Sequence, residues 1–212
     1  MASGEMALRS SAEVAAGAVP EAALVERCRR GEEAAFGRLV ALHEGMVFNL
    51  AARLLGDPEE ARDLSQEVFL QVFRALGRFQ GRSSLKTWIY RIVVNLCRNR
   101  LRWWRRRFRE RSAPLEELSV ADEARLGAAG EAGESPFERL ARRERARCVQ
   151  QALLGLSFDH RAILLLREVE GMSCDQIAAT LGLPEGTVKS RLARAREALR
   201  LLVQPLLKED HA

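Results

Sequence analysis

The sequence predicts an all-α protein in which two small helical domains are joined by a flexible acidic linker. Apolar residues recur at three- and four-residue spacing, and no run alternates apolar and polar residues as a half-buried strand would. Charge divides the 212 residues into two basic blocks around an acidic stretch. Glycine punctuates that stretch and large apolar side chains are few, which is typical of a linker.

Charge counts set the expected domain boundaries. Residues 24–108 carry 17 basic and 9 acidic side chains, residues 139–208 carry 13 and 7, and residues 109–138 carry 3 and 8. The acidic stretch buries too little apolar surface to offset the entropy of ordering it; the alternative is a short helix around Leu115–Leu126. We expect a disordered tail over 1–20, a domain over 21–108, a flexible linker over 109–135, a second domain over 136–207 and a tail over 208–212.

Four helices are predicted in the first domain from apolar periodicity and turn residues. The third has the clearest start, because Asp57 can cap it, Pro58 suits its first position and Glu60 suits its third. The predicted helices cover Glu21–Arg29, Glu32–Leu55, Pro58–Leu76 and Leu85–Arg107.

Four further helices are predicted in the second domain. Ser173 and Gln176 have the spacing of a capping box, in which each side chain bonds the backbone N–H of the other residue. The predicted helices cover Pro136–Leu154, Phe158–Val169, Cys174–Leu181 and Glu185–Leu202.

Composition excludes several classes of protein. The longest stretch without a charged residue, Cys148–Phe158, is too short to span a membrane. The first twenty residues lack the apolar segment of a secretion signal, so we expect a cytoplasmic protein without membrane insertion. Three His and four scattered Cys argue against a metal site or a disulfide framework, and no cofactor is expected.

The second domain has the spacing of a helix-turn-helix over residues 174–193. Counting from Cys174, a small residue (Ala178) stands fifth, a turn glycine (Gly182) ninth and a branched apolar residue (Val188) fifteenth. The spacing and a basic face on the second helix together favour reading of the DNA major groove; the alternative is an ordinary amphipathic helix. That face carries Lys189, Ser190, Ala193, Arg194, Glu197 and Arg200.

Basic and aromatic residues alternate along the first domain. Residues 68–109 contain twelve basic side chains, no acidic one, and eight of the chain's twelve aromatic rings. Basic side chains contact phosphates and aromatic rings stack on unpaired bases, so the pattern indicates single-stranded or melting DNA. Asn95 and Asn99 share a helix face, from which an amide can read a base edge. The rings expected in the core are Phe69, Phe73 and Trp88.

The helix predicted over Pro58–Leu76 has two unlike faces. Its apolar arc comprises Leu64, Val68, Phe69, Val72, Phe73 and Leu76. The opposite face suits a protein partner better than DNA, because it is largely polar and acidic and carries an outward leucine; the alternative is a solvated face. It comprises Asp63, Gln66, Glu67, Leu70 and Arg74.

Three ordered motifs resemble those of the extracytoplasmic-function sigma factors, the small bacterial sigma factors that retain only regions two and four. The motifs are Asp63–Phe69, Thr87–Asn95 and Pro184–Arg191, the last followed by Arg194–Glu197. The similarity extends over nearly the whole chain apart from the linker. The closing segment Val203–Leu207 resembles the envelope-stress branch of the family.

The resemblance implies a sigma factor that directs core RNA polymerase to specific promoters, in a stress response and under the control of an anti-sigma factor. Partners would be the β′ clamp helices, the β flap and promoter DNA, and the linker would thread toward the active-site channel. The residues matched to clamp docking are Asp63, Gln66, Glu67 and Leu70.

Further residues are matched to the two promoter elements, and residues 77–84 are matched to the loop that forms a pocket for a flipped base. Those matched to the −10 element are Phe79, Lys86, Trp88, Tyr90, Arg91, Asn95, Arg98, Asn99 and Arg102. Those matched to the −35 element are Arg167, Lys189, Ser190, Arg191 and Arg194.

Two positions depart from the family pattern. Ala193 stands where some relatives carry an aromatic residue, and Lys189 replaces an Arg of some members. Because Lys lacks the bidentate fork that Arg offers to guanine, the preferred −35 bases cannot be copied from relatives.

Two other classes of protein explain less of the sequence. A dimeric helix-turn-helix regulator would account for residues 174–202 but not for the basic and aromatic run. A recombinase-like enzyme needs a nucleophile with clustered Arg or carboxylate partners, whereas Ser3, Ser10 and Ser11 lie in a low-complexity tail. We therefore expect a protein that catalyses no reaction itself.

Overall fold

The structure, a computed structural model, describes residues 21–109 and 135–209, and both ranges are almost entirely helical. The helices are α1 (Glu21–Arg29), α2 (Glu33–Leu55), α3 (Pro58–Ala75), α4 (Leu85–Arg109), α5 (Pro136–Gly155), α6 (Phe158–Leu164), α7 (Cys174–Leu181) and α8 (Glu185–Glu209). We call α1 to α4 the N-terminal unit and α5 to α8 the C-terminal unit.

The all-α prediction is confirmed. The expected N-terminal tail and most of the expected linker lie outside the described residues, so their disorder stays a prediction. At the two ends of that linker, Arg109 belongs to α4 and Ser135 caps α5.

Six helix ends differ from the predicted ones. Three are simple shifts of one or two residues, since α2 begins at Glu33, α4 ends at Arg109 and α5 ends at Gly155. The other three involve a change of helix type or a longer helix. A short 3₁₀ turn over Leu76–Arg78 follows α3, which ends at Ala75. The helix predicted over Phe158–Val169 is α-helical only to Leu164 and continues as a π turn over Leu165–Val169. Helix α8 runs past Leu202 and through Pro205, which has no N–H and so costs the helix one backbone hydrogen bond.

The N-terminal unit is built on a hairpin of α2 and α3, against which α4 packs. The cap predicted at Asp57 is confirmed: its Oδ1 accepts from the backbone N–H of Glu59 at 2.9 Å and of Glu60 at 3.2 Å. The fully buried side chains at the centre of this unit include Leu39, Leu50, Leu54, Leu64, Leu85, Ile89 and Tyr90.

The C-terminal unit begins with a capping box that the sequence analysis missed. The backbone N–H of Glu138 donates to Ser135 Oγ at 3.2 Å, and that of Ser135 donates to Glu138 Oε2 at 2.8 Å. The predicted capping box of Ser173 and Gln176 is confirmed at the start of α7. Helices α7 and α8 then form the helix-turn-helix, and both α5 and α6 pack on α8.

The two units pack against each other, which two domains on a flexible linker need not do. Helix α7 lies against α4, and both α5 and α6 contact α2. At the turn after α2, a Cβ built on Gly56 would stand 2.7 Å from the methyl groups of Leu154 in α5. Nearby, Gln150 Nε2 donates to the main-chain oxygen of Arg53 at 3.3 Å. The apolar core is therefore continuous across the contact.

A buried cation, Arg161 of α6, stabilises the contact between the two units. Its guanidinium donates to four main-chain oxygens at 2.5–3.2 Å, those of Leu54, Leu153, Leu154 and Leu156. These oxygens lie at the C-terminal ends of α2 and α5, where carbonyls lack helical partners and the helix dipole is negative. Burial, aided by nearby Arg105, lowers the pKa of Arg161 to about 10, which leaves it charged at neutral pH.

Gly182→Ala is expected to lower the free energy of unfolding by about 1–2 kcal/mol. Gly182 ends α7 with φ at +66°, where an L side chain is strained. The control is Gly186→Ala inside α8, where a Cβ meets open space and should raise the free energy of unfolding by about 0.5–1 kcal/mol. Urea denaturation followed by circular dichroism measures both, and equal effects would contradict the strained turn.

Candidate nucleic-acid and polymerase interfaces

The acidic face predicted on α3 is exposed. Asp63, Gln66, Glu67 and Leu70 all lie at the surface, with Leu70 57% exposed. On its edge, Glu67 Oε2 accepts from Arg100 of α4 at 3.1 Å, and Arg100 also bonds Glu60. These bonds link the acidic face of α3 to α4. They also draw Arg100 toward α3.

The prediction that Phe73 lies in the core is wrong. Phe73 is 60% exposed and packs edge-on against Phe36 of α2, with ring centroids 5.1 Å apart, whereas Phe69 is buried as expected. The apolar arc of α3 is wider than the surface that its neighbours cover, so the edge of the arc stays outside. Leu70 and Phe73 form an apolar ridge beside the carboxylates of the face.

A strip of basic and amide side chains runs along the outside of α4. Arg91, Asn95, Asn99 and Arg102 succeed one another at three- and four-residue spacing, and all four are exposed. The shared face predicted for Asn95 and Asn99 is thus confirmed. The strip combines groups that bind phosphate with groups that hydrogen-bond base edges.

The loop before α4 lines an open cleft with α1. Its walls include Glu26 and Arg29 on one side and residues 77–81 on the other. Arg29 donates to the main-chain oxygen of Phe79, which closes one end of the loop onto α1. The Phe79 ring packs on Trp88 at 5.2 Å between centroids, and both rings are half-buried. Trp88 packs against the core but is only partly buried, so the prediction that it is a core residue holds in part.

Three residues matched to the −10 element contact the C-terminal unit. Tyr90 is fully buried and its hydroxyl donates to Glu170, which follows the π turn. Burial and that carboxylate raise the pKa of Tyr90 well above its ordinary value. Lys86 Nζ lies 4.0 Å from the same carboxylate, and Arg98 donates to Asp159 at 3.1 Å. A role for Tyr90 in DNA binding stays a prediction. While the two units are packed together, its side chain is buried and not accessible to DNA.

The helix-turn-helix presents the second set of candidate DNA contacts. Lys189, Ser190 and Arg194 of α8 are exposed, while Val188 and Leu192 are buried beneath them. This division confirms the predicted orientation of the helix. The ion pair with Glu185, 2.7 Å away, raises the pKa of Lys189.

The remaining two −35 candidates are half-buried. Arg167 donates to the main-chain oxygen of Met172 at 2.8 Å, which holds the turn between the π turn and α7. Arg191 Nη1 lies 3.8 Å from Asp159, across a cleft that α4 also lines.

Side chains suited to metal or redox chemistry are dispersed. Among residues 21–109 and 135–209, no three His, Cys, Asp or Glu side chains gather as metal ligands would. Burial raises the pKa of Cys28 and, to about 12, that of Cys97, so neither is a thiolate at neutral pH. In the same ranges every helix is too short or too polar to cross a bilayer.

Comparison with known proteins identifies the family. The family model described as Sigma-70 region 2 matches residues 39–114, and the one described as Sigma-70, region 4 matches residues 146–199. The RNA polymerase sigma-H factor of Pseudomonas aeruginosa is 40% identical over 189 residues, 88% of this chain and 95% of that protein. The ECF RNA polymerase sigma-E factor of Escherichia coli K12 is 35% identical over 187 residues, 87% and 95% of the two chains. The chain belongs to the extracytoplasmic-function sigma factors.

Solved structures agree with this sigma factor's fold. CnrH, in complex with the cytosolic domain of CnrY, is 30% identical with a TM-score of 0.61, covering 87% of this chain and 97% of that one. The sigma factor RpoE of Bartonella quintana, in complex with the anti-sigma factor NepR, has a TM-score of 0.63 over 80% and 96%, and at 24% identity it shows the fold alone. The expected function is confirmed: the chain directs RNA polymerase to promoters and initiates transcription there.

Proposed function

We propose that the sigma factor divides promoter recognition among three of its surfaces. The acidic and apolar face of α3 docks on the β′ clamp helices, α4 and the loop before it hold the opened −10 strand, and α8 reads the −35 duplex. The boundaries proposed are region two over 21–108, a linker over 109–135 and region four over 136–207. Region four also contacts the β flap.

The strip on α4 carries the proposal. Its arginines suit the phosphates of a strand, and its amides suit base edges that are accessible once the strand is unpaired. The set of residues proposed for −10 recognition is Phe79, Lys86, Trp88, Tyr90, Arg91, Asn95, Arg98, Asn99 and Arg102. The set proposed for −35 recognition is Arg167, Lys189, Ser190, Arg191 and Arg194.

Strand opening is driven by binding energy in this scheme. Unstacking DNA costs roughly 1.4 kcal/mol per base-pair step, whereas a base held on an aromatic platform returns ~1–3 kcal/mol. Half-buried Phe79 lines the loop cleft before α4, where such a base would enter, and its ring packs on Trp88. A few captured bases and the phosphate contacts therefore offset several steps, and the protein itself performs no catalysis.

An anti-sigma factor is proposed to restrain this protein in the cytoplasm, where RNA polymerase works. Support comes from CnrH, which was solved in complex with the cytosolic domain of CnrY. Release from the anti-sigma factor would couple transcription to a stress signal.

Footprinting tests the proposal against a duplex-binding regulator. We expect the purified protein with core polymerase to protect promoter DNA over both elements and to expose unpaired thymines near −10 to permanganate. Core polymerase alone and the protein alone are the controls. Full protection by the protein alone, unchanged by core polymerase, would instead identify a regulator.

Arg194→Ala is expected to lower transcription from a −35-dependent promoter by roughly fivefold or more, because a guanidinium that reads a base contributes about 1–3 kcal/mol. Arg194 is exposed on the polar face of α8. The matched control is Arg196→Ala on another face of α8, whose guanidinium pairs with Glu168 at 2.6 Å and should leave transcription nearly unchanged. A parental rate for Arg194→Ala would remove this residue from the −35 set.

A further inference from the structure

Two carboxylates of the C-terminal unit hold side chains on the promoter-facing helix α4. Glu170 accepts from the hydroxyl of Tyr90 and lies 4.0 Å from Lys86 Nζ. Asp159 accepts from Arg98 at 3.1 Å. Three of the side chains proposed for the −10 strand therefore have partners inside the protein itself.

The backbone after α6 places Glu170 at this contact. In the π turn the N–H of Glu170 bonds the oxygen of Leu165, five residues back, at 3.0 Å, and the N–H of Met172 bonds that of Leu166. Met172 in turn is held by Arg167. The Glu170 side chain is 11% exposed, so its charge is shielded from water and depends on the partners that α4 supplies.

Asp159 joins the two DNA-binding surfaces directly. One of its oxygens bonds Arg98 of α4 and the other lies 3.8 Å from Arg191 of α8, which are candidates for the −10 and −35 elements respectively. A carboxylate and a phosphate are both anions, so Asp159 competes with a phosphate for the Arg98 guanidinium. In the same region α7 packs on α4, so the two units are in direct contact beside this ion pair.

From these contacts we infer that Glu170 and Asp159 form an internal latch, which occupies Tyr90, Lys86 and Arg98 in the free protein and keeps them from the −10 strand until the two units separate. The inference rests on the proposed role of α4 in −10 binding. The latch is partial, because Arg91, Asn95, Asn99 and Arg102 remain exposed. Glu170 is its more important member, since Asp159 is 52% exposed and its ion pairs are screened by water.

The test measures DNA binding by the full chain without polymerase. The probe is a fluorescein-labelled, mixed-sequence single-stranded oligonucleotide read by anisotropy. Glu170→Gln is expected to raise the affinity roughly fivefold or more, and Glu170→Gln with Asp159→Asn further, because a larger fraction of molecules becomes binding-competent. Circular dichroism and urea denaturation confirm that the variants are folded.

Glu168→Gln is the matched control. It makes the same change in net charge two residues away from Glu170, but Glu168 pairs with Arg196 at 2.6 Å within the C-terminal unit. We expect its affinity to stay within about twofold of the parent, because the latch is intact. An equal gain in Glu168→Gln and Glu170→Gln would show a general charge effect and overturn the latch.

Small-angle scattering supplies a second readout. The radius of gyration of the double variant should exceed that of the parent and of Glu168→Gln, because the two units part. A larger radius without a gain in affinity, a gain without a larger radius, or no change in either would each overturn the inference. Run-off transcription with the parent protein and core polymerase, done in parallel, separates the two proposals. If the latch fails its test but the parent protein initiates transcription normally, the proposed function is unaffected. If the parent protein does not initiate transcription, the proposed function itself is contradicted.

Discussion

Arg161→Met is expected to lower the free energy of unfolding by about 3 kcal/mol or more, because it leaves buried carbonyls without a donor. The guanidinium bonds the ends of two helices, α2 in the N-terminal unit and α5 in the C-terminal unit. Methionine fills similar volume but supplies no N–H. Urea denaturation followed by circular dichroism measures the loss.

The control is Arg143→Met on the exposed side of α5, which should change the free energy of unfolding by less than about 0.5 kcal/mol. A loss at Arg161 no larger than at Arg143 would contradict the assigned role. We also expect Arg161→Met to weaken the packing between the units, since Leu54 belongs to one and Leu153 to the other.

Glu67→Arg is expected to lower the affinity for core polymerase tenfold or more, an effect of about 1.4 kcal/mol or greater in binding free energy. Glu67 is half exposed on the face proposed to meet the clamp helices, beside Leu70 and Phe73. An arginine at this position would repel the basic groups of the polymerase surface on which the face is proposed to dock. Anisotropy of the labelled sigma factor titrated with core polymerase gives the affinity.

The reversal also breaks the bond between Glu67 and Arg100, so a second variant isolates the effect on docking. Glu67→Arg combined with Arg100→Glu restores opposite charges inside the protein but keeps the reversed charge on the face. We expect core binding to stay weak in the double variant. Recovery of parental affinity would assign the loss to the internal pair, and parental affinity in the single variant would exclude Glu67 from docking.

The fold was predictable because its signals are local. Helix periodicity, the cap at Asp57 and the capping box at Ser173 act within a few residues, and each is confirmed. The turn glycine Gly182 is likewise determined by its own φ. The exposed face of α3 and the shared face of Asn95 and Asn99 on α4 followed from the same periodicity, whereas Arg91 and Arg102 were named through the family resemblance.

Contacts between distant segments were not predictable from these signals. Tyr90 and Glu170 are 80 positions apart, and their hydrogen bond depends on how the folded N-terminal and C-terminal units pack against each other. Phe73 belongs to the apolar arc by spacing, yet only the packed structure shows where cover by α2 ends. The sequence held one signal for Arg161. It directly precedes the apolar run Ala162–Leu166, and a charged residue in that position is a candidate for burial with hydrogen-bond partners.

The central claim is that this chain supplies promoter choice to a polymerase that cannot find start sites alone. The most direct measurement is run-off transcription by core polymerase on a library of promoter fragments, with and without the purified protein. We predict discrete transcripts that appear only when both are present and that share sequences near −35 and −10. Transcripts that are absent, or the same with core polymerase alone, would contradict the account.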